Sequence, residues 1–493
     1  MKQLLSKLLL VLSICTTAAN AQTIENAYTY TQTNFGSTGR SLGMGGGIGA
    51  MGGDAAGILV NPAGLAIFRK SEFTFTPQLG SANVKSNFLN NSIDDSRFIF
   101  NVSNFAFVFS GYNEKRSRWK GLNFAIAYNR ENTFSSNTLA EGVNSKNSLL
   151  TSFVDKANGV SSSNFSEINY AFDVGLAYQT YLLNPIAPDT NYYSTVVPNG
   201  GMLQTISRDI KGGRGAWSFA FSNNYKDKVM LGGSLDIGTF NFEETYTHTE
   251  TDKFDSVSVP KESLDIKSFS YSKYKNTTGS SIGATLGILI RPIDWIRFGA
   301  SVQTPRSYRM NYKDTYSMNA DYQEGSYTDS ASSVFKYRLI SPMRITGSVA
   351  LIYKSYGLIS LDYELVNNKA TRFRSGTYSF ASENSQIKQK FENSSNIRLG
   401  AEYRYDIFAF RGGIAMYSSA VGNSYSNGAS DFNAISYSGG LGMRESGYFI
   451  DLGYAYTKSK NSQQVYALAE QAPLTSLQDV THHRVMITLG FKF

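Results

Sequence analysis

The feature that most constrains the fold is an alternation of apolar with polar or small side chains, which recurs from position 72 to the end of the chain. The last segment shows it most clearly, because every second residue is apolar. Its apolar residues are Val485, Ile487, Leu489, Phe491 and Phe493. A period of two places alternate side chains on opposite faces of a β-strand. The chain is therefore predicted to be all-β.

The alternation divides the chain into fourteen predicted strands, joined by connections that are alternately short and long. We place the strands at 71–80, 103–112, 119–131, 214–224, 228–248, 276–292, 295–314, 332–353, 356–371, 394–405, 407–418, 433–444, 447–459 and 481–493. The long connections are 81–102, 132–213, 249–275, 315–331, 372–393, 419–432 and 460–480. Outer-membrane barrels have an even number of strands, short periplasmic turns and long extracellular loops.

This pattern predicts a transmembrane antiparallel up-and-down β-barrel of about fourteen strands, with a secreted β-sandwich as the alternative. A closed barrel leaves no unpaired strand edge in lipid. Charged residues within the strands should then face the lumen, since an Arg or Lys facing the middle of the bilayer costs about 2–4 kcal/mol. We expect them to pair across neighbouring strands rather than to contact a substrate. The residues concerned are Arg297, Asp362, Glu364, Arg398, Glu402 and Arg411, together with Asp236, Arg404 and Asp451.

The N-terminus has the pattern of a secretory signal peptide at 1–21. Lys2 and Lys7 precede an apolar run at 8–14, and Ala19-Asn20-Ala21 provides a cleavage site before Gln22. The one cysteine of the chain, Cys15, lies inside this peptide, so the mature chain is predicted to have neither disulfides nor thiolate metal sites. Its basic residues are scattered rather than clustered, which argues against nucleic-acid binding.

Residues 22–70 precede the first predicted strand and are rich in glycine and small residues. The sequence GIGAMG at 47–52 fits the spelling of a dinucleotide-binding loop, but no apolar strand precedes it and no long helix can follow it. Fourteen strands enclose a lumen too wide for side chains alone to fill. The segment is therefore predicted to be a hatch, or plug, within a barrel formed by 71–493.

The sequence GMGGGIGAMGGDAAGILVNPAGLA within this segment resembles the N-terminal hatch signature of the FadL/TodX family of outer-membrane transporters. ATLGILIRPIDWIRFGASVQTP and NIRLGAEYRYDIFAFRGGIAMYSS, further along the chain, are also similar to that family. The resemblance implies that this segment is the gate. Its candidate gating residues are Gly47, Gly49, Gly52, Asp54, Asn61, Pro62, Ala63 and Gly64.

The resemblance further implies passive uptake of hydrophobic small molecules, either fatty-acid-like or aromatic. A ligand would be captured at the extracellular loops, pass into the lumen, and leave sideways into the membrane after the hatch rearranges. The implied location is the bacterial outer membrane, as a monomer in contact with lipid and lipopolysaccharide. The barrel-assembly machinery would recognise the C-terminal strand ending at Phe493. No cofactor is implied.

The connection 132–213 departs from the best-known members of that family, so ligand contacts cannot be transferred to it. Within it, residues 168–185 carry apolar and aromatic side chains at roughly helical spacing. We consider three alternatives: a helix that contributes to a ligand groove or dips into the lumen, a helix that packs on the barrel rim, and a continuation of the wall. The candidate ligand contacts are Ile168, Phe172, Leu176, Tyr178, Tyr181 and Leu182.

The chain has three histidines, and no catalytic or metal site is predicted from them. His482 and His483 are adjacent in a predicted strand, so their side chains face opposite sides and cannot bind one metal ion together. Besides uptake, two alternatives remain open. One is a binding or shuttle component of a secretion system, and the other is a general porin or a barrel enzyme.

Overall fold

The computed structural model describes residues 24–34, 36–116, 118–186, 191–197, 201–253, 266–421, 434–469 and 471–493. The predicted signal peptide at 1–21 lies outside these ranges. The helices within them are α1 (Ile24–Thr31), α2 (Gly39–Gly43), α3 (Leu149–Ala157), α4 (Val174–Gln179) and α5 (Ala381–Lys390), and the 3-10 helices are Ala55–Leu59, Pro62–Ile67, Ser162–Asn164 and Asn368–Ala370. None of the helices in the described part of the chain combines the length and apolar character needed to cross a membrane.

Most of the described chain is β-structure. The strands are β1 (Glu72–Phe88), β2 (Asn91–Ser110), β3 (Trp119–Thr133), β4 (Ser136–Asn144), β5 (Leu183–Pro185), β6 (Tyr193–Thr195), β7 (Met202–Tyr225), β8 (Val229–Asp252), β9 (Ile266–Ile293), β10 (Ile296–Gln303), β11 (Ser307–Tyr322), β12 (Gly325–Ile340), β13 (Arg344–Tyr353), β14 (Gly357–Val366), β15 (Arg372–Arg374), β16 (Ser394–Tyr405), β17 (Phe408–Tyr417), β18 (Ala434–Arg444), β19 (Tyr448–Tyr466) and β20 (Leu474–Lys492).

These strands close into an antiparallel barrel. β1 pairs with β2 on one side and with β20 on the other, where Phe73 lies opposite Phe491. Eighteen strand segments belong to one sheet. Four wall strands are each divided into two segments by a break, and the divided pairs are β3 with β4, β10 with β11, β12 with β13 and β14 with β15. The wall is therefore fourteen strands around, which confirms the predicted fold.

The two faces of the wall differ as the alternation predicts. On β19, Ile450, Leu452 and Tyr454 are 39–42% exposed on the outside, whereas Asp451 between them is 1% exposed on the inside. Apolar and aromatic side chains point outward on every wall strand in the same way. An outer belt of this kind matches the hydrocarbon layer of a bilayer, so the barrel is a transmembrane one.

The strands extend further than predicted. The connections 81–102 and 315–331, predicted as loops, are instead strand pairs joined by two-residue turns, and β1 meets β2 through Leu89 and Asn90 with φ of 46° and 64°. The ends of the connections 132–213, 249–275 and 460–480 are also strand. Polar residues occupy both faces of these extensions, as in GSYTDSASSV at 325–334, so the apolar alternation is lost although the pairing continues.

Two strands predicted to be continuous are broken. The predicted strand 295–314 is interrupted between β10 and β11, and the predicted strand 332–353 between β12 and β13. Pro305 and Pro342 lie in these two interruptions. Proline cannot donate a ladder hydrogen bond, and for this reason it interrupts a central strand.

Residues 145–186 and 191–197 form a cap at the end of the barrel that has the long extensions. It contains α3, α4 and the β5–β6 hairpin. Its buried apolar residues form one cluster with Phe269, Met318 and Tyr322, which belong to the extensions of β9 and β11. The cap therefore packs on the barrel extensions through its own hydrophobic core.

Candidate functional site

The N-terminal segment, residues 24–34 and 36–70, is folded by local polar caps. Asp54 accepts a hydrogen bond from the Ala56 amide at 2.9 Å and so begins the first 3-10 helix of the segment. Asn61 caps the next one in the same way, with Pro62 at its first position. A short side chain that accepts a bond from the following turn is the usual N-cap, and proline fits the first turn because its missing N–H has no helical partner.

The same residues join distant parts of the segment. The Thr38 hydroxyl donates to Asp54 at 2.9 Å, and the Asn61 side-chain amide donates to the Gly49 carbonyl at 2.9 Å and to the Ile288 carbonyl of β9 at 3.1 Å. Gly52 has φ of +66°, and Gly53 donates to the Gly64 carbonyl at 3.1 Å. Ala63 is fully buried. The eight candidate gating residues therefore lie in one compact unit against the inside of the wall.

Glycines in the N-terminal segment and in the wall strands allow the two backbones to approach each other closely. A Cβ on Gly47 would lie 3.1 Å from the Arg398 carbonyl oxygen, and one on Gly43 would lie 3.1 Å from the Gly440 Cα. From the wall side, a Cβ on Gly299 would lie 2.7 Å from the Gly49 carbonyl oxygen. Side chains would hold these backbones apart, and glycine is the residue that allows such close approach.

A buried ion-pair network fixes the segment to the wall. Arg40 donates two hydrogen bonds to Glu402, at 2.8 and 3.0 Å, and both side chains are at most 5% exposed. Arg404 and Arg411 also pair with Glu402, at 2.7 Å each. Burial by itself lowers the pKa of Arg40, but the attraction of Glu402 outweighs it and raises that pKa, so the guanidinium stays charged.

The other predicted lumenal charges lie in the same layer. Asp362 accepts from the Ile48 and Gly49 amides at 3.0 Å, and Arg297 donates to the Met51 carbonyl at 2.5 Å. Arg398 pairs with Glu364 at 3.4 Å. These charges therefore bind the N-terminal segment as well as each other.

Replacing Glu402 with Gln should loosen the segment. The substitution leaves the Arg40 and Arg411 guanidinium groups buried without their shared carboxylate, and breaking a buried ion pair in this way costs about 3–5 kcal/mol. We expect faster amide hydrogen exchange across residues 39–53 while the circular dichroism of the barrel is unchanged. The matched control is Arg404→Gln, because that side chain is 39% exposed and Glu402 keeps its other partners. Equal exchange in the two variants would contradict the tether.

A cavity of about 1020 Å³ lies inside the barrel beside α1. Its lining is mixed: Ile99, Phe134, Ile210 and Phe242 are apolar, whereas β16 to β20 contribute mainly Ser, Thr, Asn and Gln side chains. Seven Arg or Lys residues and three Glu residues also line it. The cavity therefore offers both apolar surface and a surplus of positive charge.

Helix α1 is held between this cavity and an aromatic cluster. The Tyr30 ring lies 4.8 Å from that of Phe240 and 5.0 Å from that of Phe242. Arg214 donates to the Tyr30 carbonyl at 2.6 Å, and Arg344 donates to the Thr31 carbonyl at 2.9 Å. The N-terminal helix is thereby fixed to the lumenal wall at its C-terminal end.

The wall is incomplete between β2 and β3. Their ladder runs from Ser110–Asn123 to Asn104–Asn129 and stops there, although β2 continues to Asn91. Beyond this point β3 pairs with β7 alone, with a bulge between Arg130 and Asn132. We call the resulting gap, between 99–103 of β2 and 130–135, the lateral window.

The lateral window lies between the cavity inside the barrel and the lipid-facing surface. A second cavity of about 380 Å³, the outer groove, lies over Gly212, Gly213 and Gly215 of β7 and beside Phe100, which is 67% exposed. The two cavities share four lining residues, which are Ile99, Arg130, Thr133 and Ser135. Further along β2, Arg97 pairs with Asp209 and with Asn137 of β4, which bounds the window on that side.

The six candidate ligand contacts of 168–185 lie in the cap. Leu176 and Leu182 are buried in its hydrophobic core, and the Phe172 ring packs 5.0 Å from Tyr316 of β11. Tyr178 is partly buried against the same core, and Ile168 and Tyr181 are each 48% exposed. The helix within 168–185 is the six-residue α4. Neither cavity is lined by any of the six, so their ligand role stays a prediction.

Sequence reasoning missed Arg40 and the lateral window. Arg40 stands alone in a glycine-rich, mostly uncharged stretch. A charge that is buried there requires a partner of opposite charge. The isolation of Arg40 in the sequence therefore indicates an ion pair with another part of the chain. The window had no such signal, because it depends on which residues of β2 and β3 fail to pair. The described histidines and carboxylates include no group of three or more placed to hold a metal ion.

The chain is similar in three dimensions to several solved structures of known proteins. A monoaromatic hydrocarbon channel, CymD, shares 12% identity with the chain and covers 94% of it and 99% of itself, with a TM-score of 0.51. A FadL homologue of Pseudomonas aeruginosa shares 11% identity over 94% of the chain and 98% of itself, with a TM-score of 0.55. The chain has the FadL fold. The toluene transporter TbuX of Ralstonia pickettii has this fold too, at 15% identity over 94% of the chain and 100% of itself, with a TM-score of 0.50.

The predicted FadL/TodX resemblance is thus confirmed for the fold. No family model matches the chain, and no curated protein sequence matches it. The FadL fold is therefore recognised here through three-dimensional structure, at identities of 11–15% in these comparisons.

Proposed function

We propose that the chain is an outer-membrane channel for passive uptake of hydrophobic or amphiphilic small molecules, which leave the lumen through the lateral window. One observation carries this proposal: a cavity inside the barrel meets a groove on the lipid-facing surface at a break in the wall. A solute that enters the lumen can reach lipid by this route without crossing the barrel end to end. The compared structures are channels and transporters for hydrocarbons, which supports transport rather than enzymatic activity.

The N-terminal segment serves as the plug in this proposal. Its glycine contacts with β10 and β16 to β18 and its ion pair with β16 support a position across the lumen. A plug that closes the axial path leaves the lateral window as the exit. A general porin would need an open axial path, and a tethered segment of this kind argues against that alternative.

The ligand class follows from the lining of the lumenal cavity. An uncharged hydrocarbon uses only the apolar part of this lining, whereas an amphiphile satisfies both kinds of surface. We therefore propose a ligand with an apolar body and a polar head. Movement down a concentration gradient requires no energy source.

Transfer of a lipophilic probe into lipid tests the proposal. Purified barrel in liposomes should accelerate the uptake of a fluorescent long-chain fatty acid into the bilayer, and native mass spectrometry of detergent-extracted protein should show a bound amphiphile. Protein-free liposomes give the background rate. Transfer no faster than this background, combined with stable binding of exported proteins, would replace uptake with the secretion-shuttle alternative.

A further inference from the structure

We propose that Arg130 is the latch of the lateral window: its side chain holds β2 and β3 together at rest and limits the rate at which a ligand leaves. The inference rests on the proposed function, because it assigns a role to one residue of the proposed exit. The fold and the two cavities do not by themselves say what this guanidinium group does.

Arg130 lies on the outward face of β3. Phe124, Ile126 and Tyr128 point outward from β3, and the period of two places Arg130 next on that outward face. An arginine on the lipid-facing surface is disfavoured unless it reaches an interface or a polar partner. Arg130 is only partly exposed and lines both cavities, so its side chain lies in the lateral window rather than in lipid.

The Arg130 side chain contacts the backbone of β2. Arg130 Nε donates to the Val102 carbonyl oxygen of β2 at 3.3 Å. This bond spans the gap at the place where the β2–β3 ladder has ended. Asn101 donates to the Thr133 hydroxyl at 3.4 Å, which adds a second bridge between the same strands. Side chains thus replace backbone pairing across the lateral window.

The Arg130 guanidinium group lies against a glycine of β7. A Cβ on Gly213 would overlap the Arg130 Nη1 atom, so the position of this arginine depends on glycine in β7. The adjacent Gly212 has φ of +116°, a conformation that favours glycine. Gly213 therefore leaves the space that the guanidinium group occupies.

The bond between Arg130 and β2 is weak enough for the latch to open. Among the described residues Arg130 has no carboxylate partner, and the neighbouring Glu131 on the opposite face of β3 is paired with Arg214 and Arg306. A single long hydrogen bond to a carbonyl oxygen is weaker than the buried ion pairs that surround it. A ligand that enters the lateral window can displace this bond without breaking the network of Glu131.

The test is Arg130→Ala in the full-length barrel, measured as transfer of two probes into liposomes. The probes are a fluorescent long-chain fatty acid and naphthalene, one anionic and one uncharged. Loss of the latch should raise both transfer rates severalfold, and Arg130→Lys should give an intermediate rate, since a lysine reaches the carbonyl with fewer donors. The matched control is Arg309→Ala, which removes an exposed arginine of β11 away from the lateral window.

A second measurement does not depend on transport. Ser135→Cys places a thiol at the lateral window, and a lipid-soluble maleimide should label it faster when Arg130→Ala is also present. Unchanged labelling and unchanged transfer of both probes would overturn the latch. Slower transfer of the fatty acid alone would also overturn it, because this would indicate a ligand contact instead. If the unmodified barrel transfers neither probe while labelling still rises, the latch stands and the proposed function fails.

Discussion

Cross-linking β2 to β3 across the lateral window should abolish transfer of a fluorescent fatty acid into liposomes, and removing the cross-link should restore it. Asn101→Cys with Thr133→Cys supplies the two thiols, since the native side chains already meet at 3.4 Å. A short bis-methanethiosulfonate reagent joins them and dithiothreitol releases it. The one native cysteine, Cys15, lies in the predicted signal peptide, so the mature chain adds no competing thiol.

The control applies the same chemistry to an intact part of the wall. Phe107 and Ile126 are paired neighbours of β2 and β3 within the ladder, and both point outward. Cross-linking cysteines at these two positions joins strands that do not separate, so transfer should continue. Transfer that persists through the cross-link at 101 and 133 would mean that the ligand leaves elsewhere.

Replacing Gly39 with Val should open an ionic leak through the barrel. A Cβ on Gly39 would overlap the Asp451 carbonyl oxygen, which belongs to the backbone of β19 and cannot move aside. The proposed plug must therefore shift away from the wall. We expect a steady conductance in planar bilayers, where the unmodified protein shows little.

Gly57→Val is the matched control within the same segment. A Cβ at Gly57 has no atom within 4 Å, so an added side chain finds space there. Gly47→Val should give a smaller leak than Gly39→Val, because its Cβ would lie 3.1 Å from the nearest wall atom. Normal circular dichroism in all three variants separates a displaced plug from a misfolded barrel. A Gly39→Val barrel as closed as the unmodified one would show that the segment is not the barrier.

The barrel could be predicted from sequence because the bilayer imposes a strict difference between its two faces. Where β19 crosses lipid, Ile450, Asp451 and Leu452 must alternate, and the alternation is visible without any structure. Above the lipid that requirement ends. Residues 325–331 of strand β12 remain paired, with Ser330 opposite Ser317, but nothing in the composition of this part distinguishes it from a loop.

The candidate site was less accessible to sequence reasoning. Asp54 and Asn61 were identified through the resemblance of their segment to the FadL/TodX signature, and in the structure both cap a 3-10 helix that begins at the next residue. The partner of Arg40 is 362 positions away in the chain, and one sequence does not contain that pairing. The same limit applies to Leu176, whose apolar spacing indicated a buried face but did not say whether the cap core or a ligand covers it.

The glycine contacts between the N-terminal segment and the wall have a mechanical consequence. Two surfaces whose side chains interdigitate must separate before one can slide along the other. Two surfaces that meet through glycine backbone have few protruding side chains and can slide without separating. Gly43 against Gly440 and Gly49 against Gly299 are contacts of this second kind. Friction between the two parts should therefore be low, and resistance to sliding should be concentrated in a few polar bonds such as Arg40 to Glu402.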